Sequence, residues 1–415
     1  MMKRLSLCIV TTGEDKRLER CLSSAHTLVD EIIIVNMEPT ERARKIGASF
    51  GAKVFDFYKS GSYSDAGNYA LEQATGEWIL WMHGDEQLDH SDRTRLRDLL
   101  YMEQYDLIFL HVLQYGTTNH GRLRIFDIAC PRLFRNGIKF QIFSKFQEML
   151  NYSELTSEPG EEERVGIYPL KIHDYRQKSV HTKNKSNALR ELDQLGRQIG
   201  QTEENNHWYA YHLACEYYRL QVYRPGFKYL NNVIKHYLDA KELPPSIIYK
   251  LKYSVVLDEV STEEVDRGLQ LALRMHPDYV DFQFYSGVIH FRKKLYAEGL
   301  HYFERCMELG EKAVGSYLVR KGVGSYQAAY YKGLSLEKLG NIEEATESYI
   351  ESLAMNNSFK PPLEALKRLM GFDFNFEKLT NRLKGDHVIN LADLRTMLDV
   401  DQKVHIQIKK QVHST

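Results

Sequence analysis

Residues 81–88 read WMHGDEQL. An apolar run, EWILWM, gives way there to His83, Asp85 and Glu86, so a buried strand would deliver an imidazole and two carboxylates to the rim of a site. Carboxylate oxygens suit magnesium or manganese, and manganese also accepts an imidazole. A strand running into an ordinary turn would leave the same trace. Other chemistries find no support. GSYSDAG is glycine-containing but lacks the GK[ST] of a phosphate-binding loop, and neither GxSxG nor HExxH occurs. The five cysteines, Cys8, Cys21, Cys130, Cys215 and Cys306, are far apart and show no CxxC or zinc spacing.

The elements that must position this turn alternate. RLSLCIV, EIIIV, AKVFDF, EWILWM and YDLIFLHV read as strands. DKRLERCLSSAH, TERARKIGASFG, SDAGNYALEQATG and SDRTRLRDLLYME read as the helices between them. Short apolar runs separated by amphipathic helices imply a mostly parallel sheet covered on both faces. Ligands on such sheets bind beyond the carboxyl ends of the strands. Those ends are Thr11–Glu14, Asn36–Glu38, Tyr58–Ser64 and His83–Glu86, which makes Thr11, Glu14, Asn36 and Glu38 candidate binding residues. Further on, RLRIFDIACPRLFRNGIKF suggests short antiparallel strands, SELTSEPGEEERVG a solvated loop, and IYPLKIHDY one more strand.

From about residue 207 the rhythm is helical and repeats. Ala214, Tyr253, Gly287 and Gly333 each precede Gly226, Val265, Gly299 and Ala345 by twelve residues, and Ile234, Leu273, Met307 and Leu353 follow eight residues later. The pattern resembles the tetratricopeptide repeat, a helix–turn–helix unit in which small residues let paired helices approach. Many of the 27 tyrosines fall here and read as packing residues of the repeats. The chain of 415 residues divides, on this reading, into 1–200, 201–370 and a helical cap or tail at 371–415. Its net charge of −1 gives no electrostatic case for nucleic acid or an anionic membrane. No apolar stretch is long enough to span a bilayer, the N-terminus lacks a cleavage site of the secretory kind, and the cysteine usage fits a reducing cytoplasm.

The blocks VDEIIIVNMEPTERARKIGASFGAKVFDF, YSDAGNYALEQATGEWILWMHGDEQL, RLFRNG, KFQEM and KIHDY follow one another in the order seen in family 2 glycosyltransferases. The chain resembles that family over roughly residues 4–200, and most of all its bacterial subgroup with tetratricopeptide repeats after the catalytic domain. The resemblance implies an α/β N-terminal domain of the GT-A, Rossmann-like kind followed by an all-α repeat solenoid.

It also implies an inverting, metal-assisted transfer from a nucleotide-sugar to a peptide or glycan acceptor docked by the repeats. The family's Asp-x-Asp falls on His83-Gly84-Asp85, so Asp85, His83 and, from KIHDY, His173 are the expected ligands of Mn2+ or Mg2+. A divalent cation there would hold the diphosphate as it leaves. Asn36 falls in the nucleoside-binding block, Asn68 on the family's Arg-Asn pair as a further candidate binding residue, Arg132 and Arg135 on a basic pair facing diphosphate, and Glu148 on the general base. Four positions depart from the family pattern: His83 and Asn36 stand for Asp, Gly67 for Arg, and Gln147 for the His of a His-Glu pair. The alternative reading is a catalytically degenerate protein whose repeats bind or scaffold.

Overall fold

The computed structural model describes residues 4–12, 15–57, 62–117, 123–138, 140–142, 150–151, 164–175, 188–190, 192–196, 207–258, 263–311 and 317–370. The expected cap or tail at 371–415 lies outside them. Two compact units are present: Met1–Lys252 with Gly315–Leu318, and Tyr253–Val314 with Val319–Thr415.

In the first unit, strands β1 (Leu5–Thr11), β2 (Glu31–Asn36), β3 (Lys53–Asp56) and β4 (Trp78–His83) run parallel. Helices α1 (Asp15–Ala25), α2 (Glu41–Ser49) and α3 (Tyr63–Glu72) lie between them in sequence. Every residue of β1 and β4 is buried, which is why both read as unbroken apolar runs. The sheet continues through β5 (Glu86–Leu88), β6 (Leu107–Thr117), β7 (Leu123–Arg135) and β8 (Val165–Asp174), with α4 (Arg93–Leu99) between β5 and β6. Strand order is β3-β2-β1-β4-β7-β6-β8-β5. The β4–β7, β6–β7 and β5–β8 pairs are antiparallel, so the sheet is mixed.

The segment expected to break into short antiparallel strands is a single strand of 13 residues. Pro131 invites the break, because it has no N–H for a ladder. The structure absorbs it instead, with a register shift at Ile108/Phe109 and Phe109 opposite Pro131.

Helices α5 (His207–Arg219) and α6 (Tyr223–Asp239) belong with the sheet rather than with the later helices. Trp208 stacks on Phe109 at 4.5 Å and the Tyr211 hydroxyl accepts the Ala129 N–H at 3.2 Å. Lys250, on α7 (Ser246–Ser254), pairs with Asp127 of β7. The unit border therefore falls at Lys252–Tyr253, whereas the sequence rhythm changes at about residue 207 and the division read from it lies at 200/201.

The second unit contains α8 (Glu263–Met275), α9 (Val280–Arg292), α10 (Tyr296–Leu309), α11 (Tyr326–Leu339), α12 (Ile342–Met355) and α13 (Pro361–Met370). Ala214, Tyr253, Gly287 and Gly333 are each the eighth residue of their helices α5, α7, α9 and α11. The repeat register read from the sequence is thus the register of the helices. The small residues are where neighbours press closest: a Cβ on Gly287 would lie 2.6 Å from Phe303, and one on Gly333 2.6 Å from Tyr349. Among the described residues no helix is long and apolar enough to cross a membrane.

Candidate active site

Strand register brings the expected rim together. Thr11 lies beside Asn36, Asn36 beside Asp56, and Val10 beside His83, so the carboxyl ends of β1 to β4 share one edge. The chain turns there at Gly84, whose missing Cβ leaves room for Thr11; an added Cβ would lie 3.0 Å from Thr11 Oγ1. Asn36 is fully buried at this edge, and among the described residues neither its amide oxygen nor its amide nitrogen has a hydrogen-bond partner. Glu38 is exposed, and Glu14 lies outside the described residues.

The three expected metal ligands have separate environments. His83 is buried, and its Nδ1 meets the Tyr63 hydroxyl at the start of α3. Asp85 lies 3.7 Å from Arg17 of α1. His173 has both ring nitrogens engaged, Nε2 with Asp89 at 2.7 Å and Nδ1 with the Tyr115 hydroxyl at 2.8 Å. Burial alone would raise the Asp89 carboxyl, but hydrogen bonds from Ser91 and His173 hold it down at about 2. Among the described residues no three His, Cys, Asp or Glu side chains gather as a cation site. His83, Asp85 and His173 therefore do not fit a joint metal cage; the turn offers Asp85, while His173 belongs to a different hydrogen-bond chain.

The arginine pair also separates. Arg132 is buried and bonds Glu86 Oε1 at 2.7 Å, while Glu86 Oε2 accepts the His83 N–H at 3.0 Å. Glu86 and Arg132 thus hold the turn to β7 as a buried ion pair. Arg135 stands opposite Trp78, at the amino end of β4, because β7 runs antiparallel to it. Its guanidinium lies 4.5 Å over the Trp78 ring and its Nε donates to the Tyr105 carbonyl. A role for Arg135 at the diphosphate is excluded by strand direction.

Asn68 is likewise committed. Its amide donates to the Ile142 carbonyl at 3.0 Å and accepts the Ile142 N–H at 2.7 Å. The Asn151 side-chain oxygen accepts the Gln141 N–H at 2.8 Å, the Asn151 backbone N–H donates to the Gln141 carbonyl at 3.2 Å, and Ile142 bridges Leu150. These bonds close the stem of the segment that carries Gln147 and Glu148, both of which lie outside the described residues. Gly67 is explained by the same stem: a Cβ there would lie 2.9 Å from Ile142 and 3.1 Å from Trp81, so the place of the family's arginine is filled by packing.

Several site residues escaped the sequence reading: Arg17, Tyr63, Asp89, Tyr115 and Tyr175. Tyr63 had a signal in its place at the start of a helix beside the rim. The others are partners across strands or helices and have no local mark. Cys21 donates to the His83 carbonyl at 3.3 Å, and burial, then Glu86 and Asp85, push its thiol up, so it is no nucleophile.

Comparison with known proteins adds a family match for the segment that contains this edge. Residues 6–156 match the model of the family described as Glycosyl transferase family 2. A TPR repeat-containing protein of Synechococcus elongatus is 27% identical over 274 residues, covering 65% of this chain and 64% of that protein. An uncharacterized glycosyltransferase of Rickettsia bellii is 30% identical over 148 residues, 35% of this chain and 49% of that protein. The chain thus spans less than two thirds of either relative. The solved structure of S. aureus TarS 1-349 covers 70% of this chain and 92% of its own at 13% identity, with a TM-score of 0.35. Residues 6–156 thus match glycosyl transferase family 2, on a chain that is also similar to a TPR repeat-containing protein.

Proposed function

We propose that the chain transfers a sugar from a nucleotide-sugar to an acceptor, with inversion, at the edge formed by Thr11, Asn36 and the His83–Asp85 turn. The observation that carries this reading is the Asn36 amide. A buried amide with both ends unpaired costs free energy unless a ligand supplies the missing partners. A nucleobase edge, with a donor beside an acceptor, is such a ligand, and a primary amide matches it in either order. The family match over this segment supports the same ligand class.

In the transfer the acceptor oxygen attacks the anomeric carbon as the bond to the diphosphate breaks, and a base removes the acceptor proton. Glu148, which falls between Ile142 and Leu150 in the sequence, is the proposed base. Arg17, 3.7 Å from Asp85, would face the negative charge that grows on the diphosphate. The helical pairs are proposed to dock the acceptor, a peptide or a glycan.

Calorimetric titration of several nucleotide-sugars, with and without manganese, tests the reading. Binding of at least one is expected. No binding under either condition overturns it. A second reading, binding without transfer, is favoured by one observation: Asp85 is paired with Arg17 and His173 is locked between Asp89 and Tyr115. Donor hydrolysis separates the two, since binding with no turnover for any acceptor favours the second.

A further inference from the structure

A cleft of about 400 Å³ opens beside the Asp85 turn, lined by Arg20, Ser23, Asp89, Arg93, His173 and Tyr175 among others. That volume lies in the lower part of the range of small-molecule sites. Its position follows from strand order. Asn36 lies two strands from β4 on one side, whereas β5 and β8, which border the cleft, continue the chain on the other side of the turn. The turn thus stands between the nucleoside end of the site and the cleft. The Tyr175 N–H donates to the Asp85 carbonyl at 3.3 Å, so the two places share a border.

Two features give the cleft a chemistry. One wall is aromatic and fixed. Tyr115 stacks on Tyr175 at 5.1 Å and 7°, and His173 lies within 20° of parallel to both. His173 is held from both ring nitrogens, so this wall does not need to be ordered when a ligand arrives. Flat aromatic faces suit the apolar face of a sugar ring.

The other feature is uncompensated positive charge. Arg17 and Arg20 are one helical turn apart on α1, but only Arg17 meets a carboxylate. The Arg20 guanidinium lies 6.0 Å over Tyr175 and bonds only the Lys16 carbonyl. Arg93 bonds the Ser23 carbonyl at 3.1 Å and the Thr27 hydroxyl at 3.4 Å. Neither Arg20 nor Arg93 has a carboxylate partner among the described residues. The one carboxylate in the lining, Asp89, is spent on His173, Ser91 and the Ser91 N–H.

We infer that this cleft is an acceptor subsite for an anionic saccharide, a sugar bearing a phosphate or a carboxylate, with Arg20 and Arg93 on the anion and Tyr175 against the ring. The inference rests on the proposed transfer for the word acceptor, but the site itself stands on its own residues. Guanidinium groups bind planar oxyanions through paired, charge-assisted hydrogen bonds. Arg20 is one turn, about 5 Å, beyond Arg17, which sets the anion about that far from the edge where the donor's sugar would lie.

The test uses the full chain and four probes followed by ligand-observed NMR and calorimetry: inorganic phosphate, a hexose 6-phosphate, a hexuronic acid and the matching neutral hexose. The phosphorylated or the carboxylated sugar is expected to bind better than the neutral one, and which of them does identifies the anion. In a double variant, Arg20→Gln with Arg93→Gln, that affinity is expected to fall at least about tenfold, with binding of a nucleoside diphosphate unchanged. Equal binding of charged and neutral sugars overturns the inference, as does no sugar binding at all, or an anion affinity that survives the double variant. Sugar phosphate binding lost in the variant, in a protein that binds no nucleotide-sugar, keeps the anion site and rejects the transfer.

Discussion

Leaving both ends of the buried Asn36 amide without a partner costs the empty protein about 1–3 kcal/mol. Replacement by an apolar residue of similar size should therefore be neutral or stabilising for the fold while it harms the site. Asn36→Leu is expected to keep or raise the melting temperature and to weaken nucleoside diphosphate binding by about tenfold or more. Thermal melting and calorimetry on the same preparation decide it. A variant that melts lower with unchanged affinity would make Asn36 a structural residue. The places of Asn36 and Asp85 at the carboxyl edge were legible in the sequence, because Asn36 ends one apolar strand and Asp85 lies in the turn just after another. Arg135 was not. Its place depends on the direction of β7, and a strand's direction leaves no mark in its own residues. The partners of His173 were hidden for a similar reason: Tyr115 and Asp89 lie 58 and 84 residues away in sequence and meet it only through strand pairing.

At the scale of elements, the helical pairs show how small residues decide spacing. Gly333 in α11 faces Tyr349 of α12, and the Tyr349 ring cannot swing aside, since it is fully buried and its hydroxyl donates to Glu337 at 2.6 Å. An added methyl group would favour the helix by about 1 kcal/mol, because alanine forms helix better than glycine. It would also meet the ring at 2.6 Å and the Ala345 carbonyl at 3.1 Å. Overpacking of this kind costs about 1–3 kcal/mol and takes the larger share. Gly333→Ala is therefore expected to destabilise the second unit, read as a lower urea midpoint. A midpoint at or above that of the parent would show that the helices part without cost. These pairs were legible in the sequence through the twelve-residue spacing of their small residues. The membership of α5 and α6 in the first unit was not legible, because a helix packed on a sheet and a helix packed on a helix carry the same amphipathic stripe.

At the scale of the molecule, two buried histidines, both in the first unit, contribute to the response to acid. His212 of α5 stacks over Phe109, and burial, then Arg132, pull its pKa from 6.5 down to about 3. His111 of β6, 3.2 Å from Asp127, is also lowered by burial. A histidine whose folded pKa lies below its unfolded value favours the fold while neutral. Its contribution is complete above pH 6.5 and is lost as pH falls toward 3, at up to about 1.4 kcal/mol per pH unit. The first unit should thus lose stability steadily between pH 6.5 and 4, and His212→Gln should flatten that slope. A melting temperature independent of pH across this window, or a slope unchanged in the variant, would contradict the assignment.

All five cysteines are free and buried. Four of them, Cys8, Cys21, Cys130 and Cys215, lie in the first unit, and Cys306 lies in the second. The folded chain should therefore be nearly silent to a thiol-reactive label, and each thiol should become reactive only when its own surroundings open. Mass spectrometry of the labelled peptides would then time the opening of each unit separately, in a single tube and with no residue replaced. A cysteine placed at the mouth of the anion cleft would be the only solvent-facing thiol on the chain, a ready attachment point for a dye that reports a sugar's arrival.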